Sequence, residues 1–307
     1  MGRTDDFERF RPLLFSIAYR ILGSVEDAED TVQEAWLRYV TAEAEPVSVQ
    51  AYLTTTVTRV AIDALRAARV RREAYVGEWF PEPLLEDPYD DPARSAELAD
   101  SISMTALLML ERLSPLERAV FVLHDGFGFG FAEVAAAVGR SEAACRQLAV
   151  RARRHMTEGR PRFRVDRRER EELAGRFLDA LRGGDVGALR KVLAPGVRSA
   201  GDGGGKAPAF ARAVTGADRV ARLLGAMAPA LLAIGGRIEA REVNGQPGAV
   251  FLDPEGKIIN TLALEIYDGR VQTILAVINP DKLRHLGPVA DAWSVDRLAR
   301  QAMRATG

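Results

Sequence analysis

The stretch FAEVAAAVGRSEAACRQLAV, residues 131–150, decides the fold of the first half of the chain. Two short patterns of apolar residues at helical spacing lie on either side of Gly139, which can take the left-handed conformation that ends a helix. Ser141 can cap a second helix, and Cys145 and Leu148 then return to the core of the first. The spacing predicts a helix-turn-helix whose two helices cross closely.

The second helix of this motif is basic at the positions that do not face its core. Residues 140–164 hold eight arginines against two glutamates. Arginine can bind guanine edges or phosphate, and glutamine can read adenine, so the pattern indicates a DNA-binding surface. The alternative is an ordinary helical hairpin with a solvated basic face. The candidate contact residues are Ser141, Arg146, Gln147, Arg151, Arg153 and Arg154.

Residues 5–75 contain three predicted helices, because apolar residues recur at helical spacing in 7–22, 25–40 and 51–68. The second helix carries an acidic stripe of Asp27, Asp30 and Glu34, with Gln33 beside it. The third is basic and carries Arg59, Asp63, Arg66, Arg69, Arg71 and Arg72, with hydroxyls from Thr54, Thr55, Thr56 and Thr58 near its start. Arginine and threonine suit contacts with phosphate and single strands, so this helix is a second candidate nucleic-acid surface.

An acidic linker, residues 76–100, separates these helices from the helix-turn-helix region. It holds eight acidic residues against one arginine, and its first twenty residues include four prolines. This composition predicts a connector without regular secondary structure. Helices are expected to resume at about 97–111, and again at Ser114, which forms a capping box with Glu117.

The pattern of the chain changes after residue 165. Predicted helices cover 167–182, 185–193, about 216–232 and 291–304, and predicted strands cover 237–243, 248–252, 258–267 and 270–278. A Gly-rich loop at 201–205 interrupts the helices, and 253–256 and 268–269 are expected to form hairpin turns. Helices followed by an antiparallel meander predict an α+β domain.

Composition restricts the function classes. The chain has 307 residues, enough for two or three small domains, and no apolar run reaches the roughly 18 residues that a membrane span needs. The N-terminus lacks the apolar core of an export signal. The single cysteine, Cys145, cannot form an internal disulfide or a Cys-rich metal site. We therefore expect a cytoplasmic protein with no membrane contact, bound metal or cofactor.

The order of acidic helix, basic helix, acidic linker and helix-turn-helix resembles an extracytoplasmic-function (ECF) sigma factor of the sigma-70 family. The matching stretches are AEDTVQEAWLR (28–38), YLTTTVTRVAIDALRAAR (52–69), LSPLERAVFVLHDGFGF (113–129) and the helix-turn-helix. WFPEPL (79–84), DGGGK (202–206) and NPDKL (279–283) narrow the resemblance to the SigJ-like group, which carries a SnoaL-like C-terminal domain. Phe80 is a departure, since the group's motif more often has leucine there.

The resemblance implies a multidomain fold, with two all-α sigma domains followed by a cone-shaped α+β SnoaL-like domain. The expected bounds are 1–75 for sigma region 2, 76–100 for the acidic linker, 101–163 for sigma region 4 and 164–307 for the SnoaL-like regulatory domain.

The resemblance also implies a role for each candidate residue in promoter-directed transcription. Core RNA polymerase would be bound through its β′ clamp helices by Asp27, Asp30, Gln33 and Glu34, with the β flap as a further partner. The −10 promoter element would be read and melted by Arg59, Asp63, Arg66, Arg69, Arg71 and Arg72. The −35 element would be read in the major groove by the helix that carries Ser141, Arg146, Gln147, Arg151, Arg153 and Arg154.

In such proteins the fused domain would replace a separate anti-sigma factor, so we expect the DGGGK and NPDKL segments to contact the linker. Trp79 and Phe80 are large apolar groups that need burial, and Lys206 or Lys282 could contact Glu82. The expected contact residues are Trp79, Phe80, Pro81, Glu82 and Pro83 in the linker, and Asp202, Lys206, Asn279, Asp281 and Lys282 in the C-terminal domain.

Two alternatives remain open from the sequence. Some SnoaL-like relatives are enzymes, but their chemistry needs a positioned acid–base pair, and the only histidine of this domain is His285. We therefore expect no enzymatic activity, whereas a small-molecule ligand in the domain stays possible. The other function compatible with the motifs is a helix-turn-helix regulator with a ligand-sensing domain. Such regulators usually dimerise, whereas a free sigma factor is expected to be a monomer.

Overall fold

The computed structural model describes residues 2–89, 103–157, 166–209 and 212–306. The chain divides into two compact units. The first contains residues 1–74 and 87–160, and the second contains residues 75–86 and 161–307. The acidic linker is thus divided, and its first part belongs to the unit that contains the C-terminal domain. We call residues 75–86 the proline segment.

The first unit is helical in its described residues. Its helices are α1 (Arg3–Leu22), α2 (Val25–Val40), α3 (Val49–Glu73), α4 (Met104–Leu110), α5 (Pro115–Phe121), α6 (Phe131–Val138) and α7 (Glu142–Thr157), with a π-helical turn at Val122–Gly126. The first three pack on one another around a fully buried apolar core that includes Leu14, Ile17, Leu53 and Leu65. The predicted helix at 97–111 begins outside the described residues, and its described part is α4.

Short-range signals in the sequence explain where these helices begin and end. Gly23 ends α1 in the left-handed conformation at φ 71°, and the Ser24 side chain caps α2. Ser114 and Glu117 form the predicted capping box of α5. Gly139 has φ 65° and separates α6 from α7, as the helix-turn-helix requires.

The second unit contains a six-stranded mixed sheet with helices. Its helices are α8 (Arg167–Arg182), α9 (Val186–Val192), α10 (Ala217–Ala233) and α11 (Ala292–Thr306), and two 3-10 turns cover Pro280–Lys282 and Arg284–Leu286. The strands are β1 (Leu193–Asp202), β2 (Val214–Thr215), β3 (Arg237–Val243), β4 (Gln246–Leu252), β5 (Ile258–Tyr267) and β6 (Arg270–Val277). The strand order is β2-β1-β6-β5-β4-β3.

Strands β3 to β6 form the predicted antiparallel meander, whereas β1 pairs with β6 in parallel. Asp268 and Gly269 form a tight hairpin turn with φ of 52° and 62°, and the β3–β4 turn is formed in the same way by Asn244 and Gly245. Strand β1 was not expected from the sequence. The register of its pairing with β6 shifts between Leu193 and Arg198, in the part that contains a proline and a glycine.

The core of the second unit lies between the sheet and its helices. Phe177 and Leu181 from α8, Leu224 from α10 and Leu264 from β5 belong to one buried apolar cluster. Most residues of β5 are buried whichever face of the sheet they occupy, as expected for a strand that is covered on both sides. In neither unit do the described residues include a helix that is both long enough and apolar enough to cross a membrane.

Candidate functional site

The Asp202 carboxylate is the centre of the contact between the proline segment and the rest of the second unit. It lies at the end of β1 and is 1% exposed. Its Oδ1 accepts hydrogen bonds from the Tyr75 hydroxyl at 2.5 Å and from the Gly204 N–H at 3.0 Å. Its Oδ2 accepts from the Phe80 N–H at 2.9 Å and from Lys282 Nζ at 2.7 Å. Four donors thus satisfy both oxygens of a buried carboxylate.

Lys282 connects the Asp202 carboxylate to the backbone and rings of the proline segment. Its Nζ donates to the Phe80 carbonyl oxygen as well as to Asp202. The same ammonium group lies 4.8 Å from the centre of the Tyr75 ring and 4.2 Å from that of Trp79. The lysine is 6% exposed, so both its charge and its aliphatic stem are removed from water. We call Tyr75, Trp79, Asp202, Asn279 and Lys282 the Asp202 cluster.

The Tyr75 hydroxyl is held in its neutral form by this environment. Burial, and then the hydrogen bond to Asp202, raises the pKa of the Tyr75 phenol well above its ordinary value. Tyr75 therefore keeps the proton that it donates to Asp202, while its oxygen accepts a hydrogen bond from Asn279 Nδ2 at 2.8 Å. One residue of the proline segment is in this way bound to both the DGGGK and the NPDKL segments.

At the far end of the proline segment, residues of the C-terminal domain form hydrogen bonds with its backbone groups. Leu84 N–H donates to Asn244 Oδ1 at 3.0 Å, and Leu84 O accepts from the Asn244 N–H at 2.7 Å. His285 Nε2 donates to the Pro83 carbonyl oxygen at 2.7 Å. Because proline has no N–H, its carbonyl is the only backbone group at that position that can be recognised.

The structure brings most of the predicted linker-contact residues together. Phe80 is 2% exposed, Pro81 and Pro83 are buried, and Trp79 and Glu82 are half-buried. Lys206 forms an ion pair with Asp281, and Glu82 was expected to contact either Lys206 or Lys282. A contact between Lys282 and Glu82 stays a prediction.

Sequence reasoning missed Tyr75, Asn244 and His285 as parts of this contact. Tyr75 lies outside the recognised WFPEPL stretch, and His285 was considered only for catalysis. Asn244 had one usable signal, since Asn-Gly between two strand-like runs is typical of a hairpin. Nothing in that signal indicates that the amide also contacts a segment 160 residues away.

In the first unit, the helix-turn-helix presents the predicted basic surface. Cys145 and Leu148 are buried, whereas Arg146, Gln147, Arg151, Arg153 and Arg154 are exposed. The Ser141 hydroxyl accepts from the Ala144 N–H at 3.2 Å and so caps α7. Arg146 pairs with Glu142, Arg151 with Glu117 and Arg153 with Asp125.

The predicted residues of α3 divide into two groups. Arg59 and the pair Asp63–Arg66 are exposed, and Arg59 donates to the carbonyl oxygens of Ala136 at 2.8 Å and Ala137 at 3.1 Å, at the end of α6. Arg69 and Arg72 are instead half-buried and bind groups of the first unit. The side chain of Arg71 lies outside the described residues.

The expectation for the threonines of α3 is wrong for three of the four. Thr54, Thr56 and Thr58 are at most 9% exposed, so their hydroxyls face the protein interior. The Thr56 hydroxyl donates to the Tyr52 carbonyl at 2.8 Å. The residues are helical as predicted, but the packing of α3 on α1 and α2 turns this side inward.

Arg69 and Arg72 belong to a cluster around Glu111. The Glu111 carboxylate pairs with Arg72 and with the fully buried Arg118, and Arg69 donates to the Glu111 carbonyl oxygen at 3.3 Å. Burial by itself raises the pKa of the Glu111 carboxyl, but Arg118 and Arg72 outweigh it, and the net pKa lies below the ordinary value. The carboxylate is therefore ionised at neutral pH and holds α3, α4 and α5 together.

The acidic stripe of α2 lies on the surface of the first unit. Asp30 and Gln33 are exposed, and Asp27 and Glu34 are half-buried. Glu34 forms an ion pair with Arg38, one helical turn further along α2. Leu37 is 48% exposed beside this stripe, so the surface combines negative charge with an accessible apolar group.

Comparison with known proteins decides the family. The Sigma-70 region 2 family model matches residues 7–71, and the Sigma-70, region 4 model matches residues 103–156. The ECF RNA polymerase sigma factor SigJ of Mycobacterium tuberculosis is 40% identical over 286 residues, which cover 90% of this chain and 92% of SigJ. The chain belongs to the ECF RNA polymerase sigma factors.

A further relative and a solved structure agree with that assignment. The probable ECF RNA polymerase sigma factor SigI of M. tuberculosis is 34% identical over 278 residues, covering 89% of this chain and 92% of SigI. The crystal structure of M. tuberculosis SigJ matches with a TM-score of 0.72 at 37% identity, over 94% of this chain and all (100%) of that chain. The predicted fold, with helical sigma domains and a SnoaL-like C-terminal domain, is confirmed.

As a sigma factor, the protein binds core RNA polymerase and promoter DNA in transcription initiation. These matches do not favour the alternative of a helix-turn-helix regulator that senses a small molecule.

Proposed function

We propose that this ECF sigma factor is regulated by its own C-terminal domain through the proline segment. The observation that carries the proposal is the burial of Phe80 between its N–H bond to Asp202 and its carbonyl bond from Lys282. One residue of the connector is thereby bound on both of its backbone groups by the DGGGK and NPDKL segments.

The proline segment lies between regions 2 and 4 in the chain, so a contact that binds it can regulate both. The segment follows directly on α3 of region 2, and the region 4 match begins at residue 103. A segment that is bound along its length cannot extend freely, so the C-terminal domain restricts the connection between regions 2 and 4. Release of the segment would lengthen that connection and change how both regions reach a promoter.

The second part of the proposal concerns the surfaces through which this sigma factor binds polymerase and promoter DNA. The acidic stripe of Asp27, Asp30, Gln33 and Glu34 binds the β′ clamp helices, and region 4 also contacts the β flap. The −10 element is read by α3, through Arg59, Asp63 and Arg66 foremost, and the −35 element by α7. The domain bounds of 1–75, 76–100, 101–163 and 164–307 describe the units of this function. Electrostatic complementarity supports these assignments.

Three finer expectations accompany the proposal. The free sigma factor is a monomer, it performs no enzymatic reaction, and any small-molecule ligand of its C-terminal domain acts as a signal. Each is tested on the purified protein, by sedimentation, by turnover assays and by mass spectrometry under native conditions.

The experiment that tests the proposal is promoter-directed transcription with core RNA polymerase and two matched lysine variants. Lys282→Met breaks the buried pair with Asp202, whereas Lys206→Met breaks the exposed pair with Asp281. We expect transcript levels to change with Lys282→Met and to stay at the wild-type level with Lys206→Met. Variants that are folded, bind core polymerase and transcribe equally would contradict regulation by this contact.

A truncation series complements the point variants. Chains cut near residue 165 retain the proline segment but lack the domain that binds it. We expect their promoter activity to differ from that of the full chain. If no truncated chain binds core polymerase, substitutions of the residues that contact the proline segment, made in the full-length chain, test the proposal instead.

A further inference from the structure

The C-terminal domain carries a basic surface that the linker contact does not use. Residues 186–222 contain seven lysines and arginines against two acidic residues. Of these, Asp202 is buried at the linker contact, and Arg198 and Lys206 pair with Glu78 and Asp281. Of the cations that remain, Arg190 and Lys191 lie on α9 and Arg219 and Arg222 on α10, two helices that pack on each other.

Two cations share a single carboxylate on this side of the domain. Asp218 on α10 pairs with Arg190 of α9 through one oxygen and with Arg222 of α10 through the other. Lys191 and Arg219 are the sequence neighbours of this triad. Among the described residues neither of them has an acidic partner, and both are exposed.

Arg270 extends this surface to β6. Its Nη1 donates to the carbonyl oxygens of Lys191 and Leu193, each at 3.1 Å, so its guanidinium lies at the end of α9. We call Arg190, Lys191, Arg219, Arg222 and Arg270 the basic surface. With Asp218 as the acid among them, the group carries a local charge of about +4, in a chain whose net charge is −1.

The composition of the basic surface favours a polyanion over a protein as its partner. Protein interfaces have an apolar or aromatic centre, from which charged residues are depleted. Among the described residues of α9 and α10, the one large apolar side chain that is exposed is Met227, five residues beyond Arg222. A surface rich in exposed arginine and lysine and poor in apolar anchors is instead typical of surfaces that bind nucleic-acid phosphates without reading sequence.

From these observations we propose that the basic surface of the C-terminal domain binds the phosphate backbone of duplex DNA. The domain then contributes a sequence-independent contact beyond those of regions 2 and 4. Each phosphate bound displaces a counterion, so affinity must fall with salt more steeply than the two sigma regions alone would cause.

The test compares two double charge reversals in the full-length chain. Lys191→Glu with Arg219→Glu alters the basic surface. Arg168→Glu with Arg176→Glu makes the same charge change on α8, where residues 166–182 hold five arginines and five acids. All four residues are exposed, so both variants should fold, which their melting temperatures will verify.

Binding to a fluorescent 40-base-pair duplex of random sequence is measured over a range of salt concentrations. At 0.1 M salt we expect the basic-surface variant to lose roughly tenfold or more in affinity. Its plot of log K against log salt should be shallower, with the magnitude of the negative slope reduced by about 1–2. The α8 variant should match the wild type in slope.

Three outcomes would overturn the proposal. Equal slopes in all three proteins would mean that the surface does not bind DNA. An equal loss of DNA affinity in both variants would show that the effect follows the net charge of the protein and not the basic surface. A loss of core-polymerase binding in the absence of DNA, confined to the basic-surface variant, would identify a protein partner instead. None of these results depends on whether the proline segment regulates the sigma factor.

Discussion

Lys282 and Asp202 form a buried ion pair, with 2.7 Å between Nζ and Oδ2 and side chains that are 8% and 0% exposed. The two residues come from segments that are 80 positions apart in the chain. Their charges are removed from water, and the remaining lone pairs of Asp202 accept from Tyr75 and Phe80 of the proline segment and from Gly204. Lys282 also donates to the Phe80 carbonyl oxygen. The stability of this pair and the attachment of the segment are therefore coupled.

Replacing Lys282 by Met should destabilise the second unit by about 3–5 kcal/mol, because the Asp202 carboxylate would remain buried without its counter-charge. Urea denaturation, monitored by tryptophan fluorescence to which Trp79 beside Lys282 contributes, measures the change. The matched variant Lys206→Met removes an exposed pair, in which the side chains are 57% and 37% exposed, and should cost less than about 1 kcal/mol. Equal losses in the two variants would show that burial does not strengthen the contact.

Replacing Gly204 by Ala should detach the start of the proline segment. Gly204 has φ +56°, and a Cβ there would lie 2.3 Å from Asn279 Nδ2 and 2.8 Å from the Tyr75 hydroxyl oxygen. Both groups would have to move, so we expect faster proteolytic cleavage within 75–86. Gly128→Ala is the control, since Gly128 has φ +74° and no atom within 4 Å of the added carbon. Cleavage at the wild-type rate in Gly204→Ala would argue against this geometry.

Replacing Glu111 by Gln should weaken the first unit in a pH-dependent manner. The folded-state pKa of Glu111 is lowered from 4.5, so its stabilising effect is fully present above pH 4.5 and is lost as the pH falls through the folded-state pKa. At pH 7 we expect a loss of about 3–5 kcal/mol, because Arg118 would keep a buried charge.

Unfolding by urea at pH 7 and at pH values below 4.5 checks this prediction. The difference between wild type and Glu111→Gln should shrink on acidification. Glu142→Gln, which removes an exposed pair with Arg146, should cost at most about 0.5 kcal/mol at pH 7. A difference for Glu111→Gln that is constant with pH would contradict the assigned ionisation.

Replacing Arg59 by Ala should separate a structural role from a role in promoter reading. Arg59 donates hydrogen bonds to two carbonyl oxygens at the C-terminus of α6. The loss of these hydrogen bonds should cost about 1–2 kcal/mol of stability. Arg66→Ala removes an exposed arginine of the same helix that pairs with Asp63, and should leave stability unchanged within error. Both variants should impair opening of a −10 element. Equal stabilities would show that the α3–α6 bonds contribute nothing measurable.

Much of the fold follows from local sequence patterns. Helix α2 and strands β3 and β5 have the predicted bounds of 25–40, 237–243 and 258–267. Caps and turns such as Ser24 and Gly139 depend on residues a few positions apart, so short-range rules describe them well. Strand β1 escaped prediction because its proline and glycine resemble a loop, and its parallel partner β6 lies about 75 residues further along the chain.

In the candidate sites, too, the sequence predicted local features but not the contacts between distant residues. The resemblance to the SigJ-like group implied that DGGGK, NPDKL and WFPEPL act together, but it did not give the partners of individual side chains. Lys206 pairs with Asp281, and Lys282 supplies the charge that Asp202 needs. In α3, composition indicated a basic helix, yet Arg72 turns toward Glu111 and Thr58 toward the core. Helical periodicity shows which residues share a face, but it does not say what that face packs against.

The sequence by itself determined the family, the helix-turn-helix, the acidic and basic helices and the class of the C-terminal domain, because these depend on residue type and short spacing. Only the tertiary structure decided that the proline segment belongs to the second unit, that its Tyr75 binds Asp202, and that Asn244 and His285 bind its far end. It alone also paired Arg190 and Arg222 with Asp218 and placed the Arg270 guanidinium at the end of α9. The physical reason is that buried hydrogen bonds and ion pairs join residues far apart in the chain, and their partners are chosen by how strands and helices pack.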